Sequence, residues 1–299
     1  MSRAAGPIVV VGAHIQGLFL RVEAVPREGE TVLGFEYDEP LDGGKATNQA
    51  VAAARLGAPV ALVSVVGSDD RGRRMLRYLR EQGVDTSGVA EVEGPTDVGF
   101  VMLPPSAVPA IAVAIDRSRA LDAAFVERAA PAIEAASAVV CQLEAPPEAA
   151  LTAFRIGRRA GALTILNPAP YAELEPELFG LTDVLVPNEH EAGALAGRND
   201  EPAGLAARLS ATLPCAAVVT AGAAGAYVAS DGTLQHVPAP DCVPVDTTGA
   251  GDAFVGALAV RLRAGDELGA AAAFAVRAAT LSVTRPGTMP AYPTAAELS

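Results

Sequence analysis

A carboxylate in the first turn of a helix that starts on glycines can take a proton from a hydroxyl while the helix end holds an anion beside it. One segment of this chain has that make-up: Val245-Asp246-Thr247-Thr248-Gly249-Ala250-Gly251-Asp252-Ala253-Phe254. Apolar helical spacing begins at Ala253 and runs through Phe254, Ala257, Leu258 and Leu262. Gly249, Ala250 and Gly251 therefore fall at a helix N-terminus, where free N–H groups and the macrodipole attract a phosphoryl group. Their small side chains let an anion approach the backbone closely. Asp252 then sits beside that anion as a candidate general base. Taken alone, the segment also reads as an Asp/Thr cap followed by a glycine turn.

Other segments add to it. Leu41-Asp42-Gly43-Gly44-Lys45-Ala46-Thr47-Asn48 places two glycines, a cation and an amide at the start of another helix, either as a polar cradle for hydroxyls or as a turn into a capped helix. The GxxxxGK[ST] spacing of a P-loop is absent from the sequence. Thr220-Ala221-Gly222-Ala223-Ala224-Gly225 follows a strand and suits close approach to a nucleotide, or forms a hairpin turn. Asn188 and Glu191, three apart on one helix face, can position phosphate and the waters of Mg²⁺, or serve as a cap with an acidic third residue. Glu144 follows a strand end, where open α/β sheets present ligand-contacting groups. His14, His190 and His236 have no ligand spacing between them.

The elements that must hold these residues alternate. Residues 8–11, 60–66, 138–141, 163–166, 184–186 and 217–220 read as buried strands, and 48–56, 71–82, 147–160 and 201–213 as helices. Alternation of this kind implies a mainly parallel sheet with helices on both faces, a three-layer α/β/α sandwich. Residues 30–37, 98–103 and 110–115 look like strands with no helix between them, set apart by Pro104, Pro105 and Pro109. They suggest a small β-sheet lid formed by about residues 14–40 and 96–116 on a single domain of residues 1–299.

Composition bounds the partners. The net charge is −13, which argues against nucleic acid, since affinity for a phosphate backbone rests on clustered Lys and Arg. Apolar residues make up 51% and aromatic residues only 4%, so the core must be built from Ala, Val and Leu. No stretch approaches the roughly 20 apolar residues of a membrane span. The apolar run at residues 8–12 is short for a secretory signal, and Cys141, Cys215 and Cys242 lack disulfide or zinc spacing. The reading is a soluble cytoplasmic protein with three reduced, buried thiols. A dinucleotide oxidoreductase is excluded because no GxGxxG follows the first strand.

In this order the segments resemble the ribokinase-like carbohydrate kinases, the phosphofructokinase-B type, over about residues 8–293. The resemblance is carried by Gly43-Gly44-Lys45 with Asn48, Gln142-Leu143-Glu144, Asn167-Pro168-Ala169-Pro170, Pro187-Asn188-Glu189 with Glu191, and the segment from Asp246 to Asp252. It is nearest to the ribokinase branch, including residues 26–31 (PREGET) and 283–287 (VTRPG). It implies transfer of the γ-phosphoryl group of ATP to a hydroxyl of a sugar or sugar-like polyol, with Mg²⁺. Asp252 would be the general base and the amides of Gly249, Ala250 and Gly251 the anion hole. Gly43, Gly44, Lys45, Asn48 and Glu144 would contact the acceptor, and Asn188, Thr220, Gly222, Gly225 and Gly251 the nucleotide. Glu191 would meet Mg²⁺ through water. Asp246 and the carbonyls of Thr248, Ser282, Arg285 and Gly287 match a loop for a monovalent cation, usually K⁺. A non-catalytic binding protein on the same fold is the competing class, and it would have little reason to keep Asp252 with an intact glycine loop.

Two departures qualify the acceptor and the cation. The ribokinase branch has an Asn and an Asp after its first strand where this chain has Ile15 and Gly17. With two hydrogen-bonding groups lost and space left at Gly17, ribose is expected to be a poor acceptor. A nucleoside, an aminocyclitol or an acarbose-like pseudo-oligosaccharide is expected to suit the site better. Ala291 stands where a hydroxyl would face the cation, which weakens the expectation of K⁺ activation. Exposed apolar lid faces suggest a homodimer formed through the lid.

Overall fold

The computed structural model describes residues 6–105 and 110–299. Residues 1–5 and 106–109, including Pro109 of the expected lid loop, lie outside the described residues. The first part of the chain runs β1 (Ile8–Val11), β2 (Gln16–Val22), β3 (Gly34–Asp38), α1 (Gly44–Arg55), β4 (Val60–Gly67), α2 (Asp70–Glu81), β5 (Val84–Val92), β6 (Val98–Leu103) and β7 (Ala110–Ala114). There follow α3 (Ala123–Arg128), α4 (Ala130–Glu134), β8 (Ala138–Cys141), α5 (Pro147–Ala160), β9 (Leu163–Leu166), α6 (Pro176–Gly180), β10 (Val184–Leu185), α7 (Glu189–Ala196) and α8 (Pro202–Thr212). The chain closes with β11 (Ala216–Thr220), β12 (Ala226–Ser230), β13 (Thr233–Val237), α9 (Ala250–Ala264), α10 (Leu268–Ser282) and α11 (Ala295–Leu298).

Nine strands form the central sheet in the order β13-β12-β11-β10-β9-β8-β1-β4-β5, parallel except for the β11–β12–β13 edge. Every residue of β1 (IVVV) and β4 (VALVSVVG) is buried, the unbroken apolar pattern a strand needs when both its faces are covered. Side-chain alternation divides β1 between two cores: Ile8 and Val10 pack with α1, α9 and α10, while Val9 and Val11 pack with α5. The result is the three-layer α/β/α body that the alternation of elements predicts.

The expected lid segments supply a second sheet, β3-β2-β6-β7. Leu20 pairs with Tyr37 and Leu18 with Phe100, so these four share one face. Gly17, Phe19, Gly99, Val101 and Ile111 share the other.

The strand expected over residues 30–37 starts only at Gly34. A closed turn takes the first half: the Glu30 amide donates to the Arg27 carbonyl, the Arg27 amide donates to the Glu30 carboxylate, each at 2.9 Å, and Gly29 has φ 82°. The helix expected from residue 48 begins a turn earlier, because the Gly43 amide donates to Asn48 Oδ1 at 3.0 Å and closes its start. Strands β5 and β13 carry polar, irregular patterns (VDTSGVAEV and TLQHV), and β12 (AYVAS) is short and Ala-containing, which hid them. Cys141 and Cys215 are buried as expected; Cys242 is exposed, because it sits in a proline-rich loop outside any strand or helix. Among the described residues no helix is long and apolar enough to cross a membrane.

Candidate active site

The parallel strands end on one side of the sheet, and the candidate residues collect there, as expected for an open α/β sheet. Glu144 follows β8, Asn188 follows β10 and starts α7, and Thr220 ends β11. The starts of α1 and α9 bring in the two glycine segments.

Asp252 is buried in the first turn of α9. Its Oδ1 accepts from Gln49 Nε2 at 3.0 Å and its Oδ2 from Asn48 Nδ2 at 3.1 Å. Both donors stand on α1, so the carboxylate is fixed by side chains from the other glycine-started helix. Burial raises its pKa above the usual aspartate value, while the Lys45 charge and the two amides pull the other way. A carboxylate so held is aimed and more basic than a free one, as a proton acceptor should be.

Lys45 and Glu144 flank it. Glu144 Oε2 accepts from the Lys45 amide at 2.7 Å, and burial pushes the carboxyl up to about 7. Burial also works against the Lys45 ammonium, yet the charges of Asp252, Glu144, Glu191 and Asp42 hold its pKa above the ordinary lysine value. Gly44, with φ 71°, lets the chain pass: a Cβ there would lie 3.0 Å from Ile15 Cβ and 3.1 Å from Glu144 Oε2. Gly43, Gly44, Lys45, Asn48, Glu144 and Asp252 thus form one connected cradle.

Gly249 caps α9 with φ 73°, and a Cβ on it would meet Thr288 Cγ2 at 2.4 Å and the Tyr292 hydroxyl at 2.6 Å. Only glycine fits. Gly251 by contrast faces open space. The Ala250 amide makes a long 3.3 Å bond to the Thr247 carbonyl. Beside this helix start lies a cavity of about 420 Å³ lined by Thr220, Gly222, Gly225, Ala250 and Gly251. The glycine segment after β11 is both of the things its sequence allowed, a turn between antiparallel strands and a cavity wall.

Asn188 and Glu191 form a reciprocal capping box: the Glu191 amide donates to Asn188 Oδ1 at 2.9 Å and the Asn188 amide to Glu191 Oε2 at 2.8 Å. One Glu191 oxygen is left free of that box. Among the described residues no cluster of three His, Cys, Asp or Glu forms a metal cage. This donor set fits Mg²⁺ held through water and phosphate, the usual arrangement for that ion at a nucleotide. Asp246 ties two loops together, Oδ1 accepting from the Thr248 amide at 2.9 Å and Oδ2 from the Gly287 amide at 3.1 Å. The Ser282 carbonyl accepts from the Arg285 amide at 3.2 Å. All-oxygen donors suit a monovalent cation, although Ala291 contributes no hydroxyl. His14 is buried on Thr47 and burial lowers its pKa to about 4; His236 is stacked on Tyr227. His14 packs behind the cradle against Gly43, where a Cβ would lie 3.0 Å from its Nδ1.

Four features escape the sequence reading. Gln49 bonds Asp252, Asn167 and Gln142, a buried amide chain whose only sequence signal is that Gln49 adjoins Asn48. Asp42 enters the cradle through Asn48. The far wall of the cavity is Phe254, Val276 and Ala279 with the loop around Cys242, ordinary apolar residues and a loop without a motif. The space inferred at Gly17 is filled: a Cβ there would meet Asp42 Oδ2 at 2.5 Å and Phe19 Cε2 at 2.6 Å.

Comparison with known proteins gives the family. Residues 7–295 match the family model described as pfkB family carbohydrate kinase. The mouse (Mus musculus) ribokinase is 35% identical over 86% of this chain and 82% of its own length, and that of Staphylococcus aureus is 33% identical over 98% of both. The structure of Arabidopsis thaliana ribokinase complexed with ribose and ATP superposes with a TM-score of 0.90 at 27% identity, covering 98% of this chain and 97% of that one. The chain belongs to the pfkB family of carbohydrate kinases and is an ATP-dependent carbohydrate kinase.

Proposed function

We propose that the protein transfers the γ-phosphoryl group of ATP to a hydroxyl of a sugar or sugar-like polyol held in the cradle of Gly43, Gly44, Lys45, Asn48 and Glu144. One observation carries the reading. The buried Asp252 carboxylate, aimed by Asn48 and Gln49, stands at the start of the same helix whose glycine end borders the 420 Å³ cavity. The acceptor hydroxyl gives its proton to Asp252 as its oxygen bonds to the γ-phosphorus and ADP leaves. Amides at Gly249, Ala250 and Gly251 face the charge that develops on the transferring group, held in place by the start of α9. Opening the Ala250–Thr247 turn bond frees one of them. Asn188 and Glu191 would hold Mg²⁺ through water, and the ion would neutralise phosphate charge. Asp246 with the carbonyls of Thr248, Ser282, Arg285 and Gly287 would hold K⁺ and stiffen the loop before Gly249, which a comparison of turnover in KCl and choline chloride tests.

The acceptor reads as a compact sugar. The case for a larger one rested partly on room at Gly17, and Asp42 and Phe19 take up that room. Ile15 still removes an amide, so ribose is not assumed. The test is ADP release over pentoses, hexoses, nucleosides and cyclitols, with Asp252→Asn as control. The variant should lose about 10²-fold or more in kcat while the KM for ATP stays within about threefold. Near-normal turnover would remove Asp252 as the base. Leu33, Phe35, Tyr37, Phe100 and Ile111 are large apolar residues left exposed around the second sheet. They support a homodimer through this lid, and a monomer mass by light scattering would dismiss it.

A further inference from the structure

Asp42 sits between β3 and α1, ahead of the two glycines, and lines the acceptor cradle without a role in the chemistry described so far. Its Oδ1 accepts from Asn48 Nδ2 at 2.8 Å. The same amide nitrogen donates to Asp252 Oδ2 at 3.1 Å, so one NH₂ group joins the two carboxylates. Oδ2 of Asp42 lies against Gly17 of β2, 2.5 Å from where a Cβ there would be, and the Asp42 Cβ is 3.3 Å from that point. The bare backbone of Gly17 is what admits this carboxylate.

The side chain is half-buried, and no Lys or Arg forms an ion pair with it among the described residues. Lys45 is the nearest compensating charge, and it is shared with Asp252, Glu144 and Glu191. Its protein donors are the Asn48 side-chain amide and the Gly44 backbone amide, and a half-buried carboxylate has further lone pairs to satisfy from whatever fills the cradle. Phosphate offers none and is repelled by three neighbouring carboxylates. A neutral ligand rich in hydroxyls offers several.

We infer that Asp42 binds the acceptor, with Oδ2 receiving a hydrogen bond from a hydroxyl next to the one phosphorylated, and that Gly17 is small so that this carboxylate can enter. The inference rests on the kinase reading above and adds the residue that sets acceptor specificity. Burial, with a smaller push from Asp252, brings the Asp42 carboxyl up to about 6, so it is mostly ionised and a strong acceptor at neutral pH. The carboxylate that the ribokinase branch carries after its first strand is thereby supplied to the space at Gly17 from the turn before α1.

The experiment measures initial rates with ATP and five acceptors: D-ribose, 2-deoxy-D-ribose, D-fructose, adenosine and myo-inositol. The acceptor with the highest kcat/KM is the probe. Asp42→Asn keeps the oxygen that Asn48 bonds and removes the charge. It should raise the probe's KM by about 10- to 100-fold, the range for losing one charge-assisted hydrogen bond, and leave the KM for ATP within twofold. Gly17→Asp alone should be impaired, because two carboxylates cannot share the space. Gly17→Asp with Asp42→Ala should recover at least a third of the wild-type kcat/KM, and Asp42→Ala alone should not. Thermal melts of each variant separate lost folding from lost binding. An Asp42→Asn enzyme with a wild-type acceptor KM overturns the inference and leaves the kinase reading intact, since a purely structural Asp42 is replaceable by Asn. Failure of the wild type on all five acceptors overturns instead the proposed acceptor reading of the cradle, on which the inference rests.

Discussion

On the proposed function, the two ends of the site are built from different materials. The nucleotide end is backbone and apolar wall: glycines at 222, 225, 249 and 251, the first amides of α9, and Phe254, Val276 and Ala279 around an open cavity. The acceptor end is side chain: Asp42, Lys45, Asn48, Glu144 and Asp252 joined by amides. Backbone amides and small residues accept any ligand carrying phosphates and a flat ring. Charged groups that need partners of fixed polarity accept far fewer, because a mismatched ligand leaves a buried group unpaired. The proposed function therefore puts discrimination at the acceptor end, and general affinity and the electrostatics of transfer at the nucleotide end.

Three substitutions sharpen or break that contrast. The largest effect is expected where the ends meet. Gly249→Ala forces a Cβ into Thr288 and the Tyr292 hydroxyl at a backbone angle that alanine resists, so the start of α9 must move. Turnover should fall by about 10²-fold, the cost of one misplaced anion-hole donor, with both KM values changed far less. Steady-state kinetics would refute the assignment if kcat stayed within threefold of wild type.

A smaller effect, confined to one end, is expected from Ala279→Phe. The ring fills part of the cavity, and the KM for ATP should rise about tenfold, in line with roughly 1.4 kcal/mol of lost binding. The acceptor KM should not follow it. If both rise together, the ends are not separable.

The smallest effect is thermodynamic and concerns the acceptor end alone. Burial raises the Glu144 carboxyl from about 4.5 to about 7, so between those pH values the folded chain holds a proton that the unfolded chain has released. Ionising Glu144 thus opposes folding. That cost is fully present above about pH 7 and disappears as pH falls toward 4.5. Glu144→Gln should accordingly melt a few degrees above wild type at pH 8, and the gap should close toward pH 4.5. A gap that does not vary with pH would show that Glu144 carries no such penalty.

The same contrast explains what could be read from the sequence. Helix starts at Gly249 and Gly43 announce themselves locally, through glycines followed by apolar spacing, and β1 and β4 through unbroken apolar runs. The central sheet and the place of Asp252 at the start of α9 were legible for that reason. Asp42 was not, because its position depends on a side chain missing at Gly17 and on an amide that also serves Asp252. Gln49 and Gln142, 93 residues apart, meet only once β8 lies beside β1. The wall formed by Val276 and Ala279 differs in no local way from any other Ala-rich helix. Chemistry held within one turn is visible in a sequence, and chemistry made by juxtaposition is visible only in the fold.

The docking of α9 on α1 has a kinetic consequence. A Cβ on Gly256 would strike Ala52 Cβ at 2.7 Å and the Gln49 carbonyl at 2.8 Å, so the two helices run almost backbone to backbone. Yet the bond from Asn48 to Asp252 spans 204 residues of chain. Contacts of such long range carry a high closure cost and tend to form slowly. A molecule emerging from synthesis or from denaturant thus fixes the Asp252 carboxylate, the proposed base, only when these two distant segments have closed on each other. Enzyme activity, more than helix content, marks the moment at which this chain has finished folding.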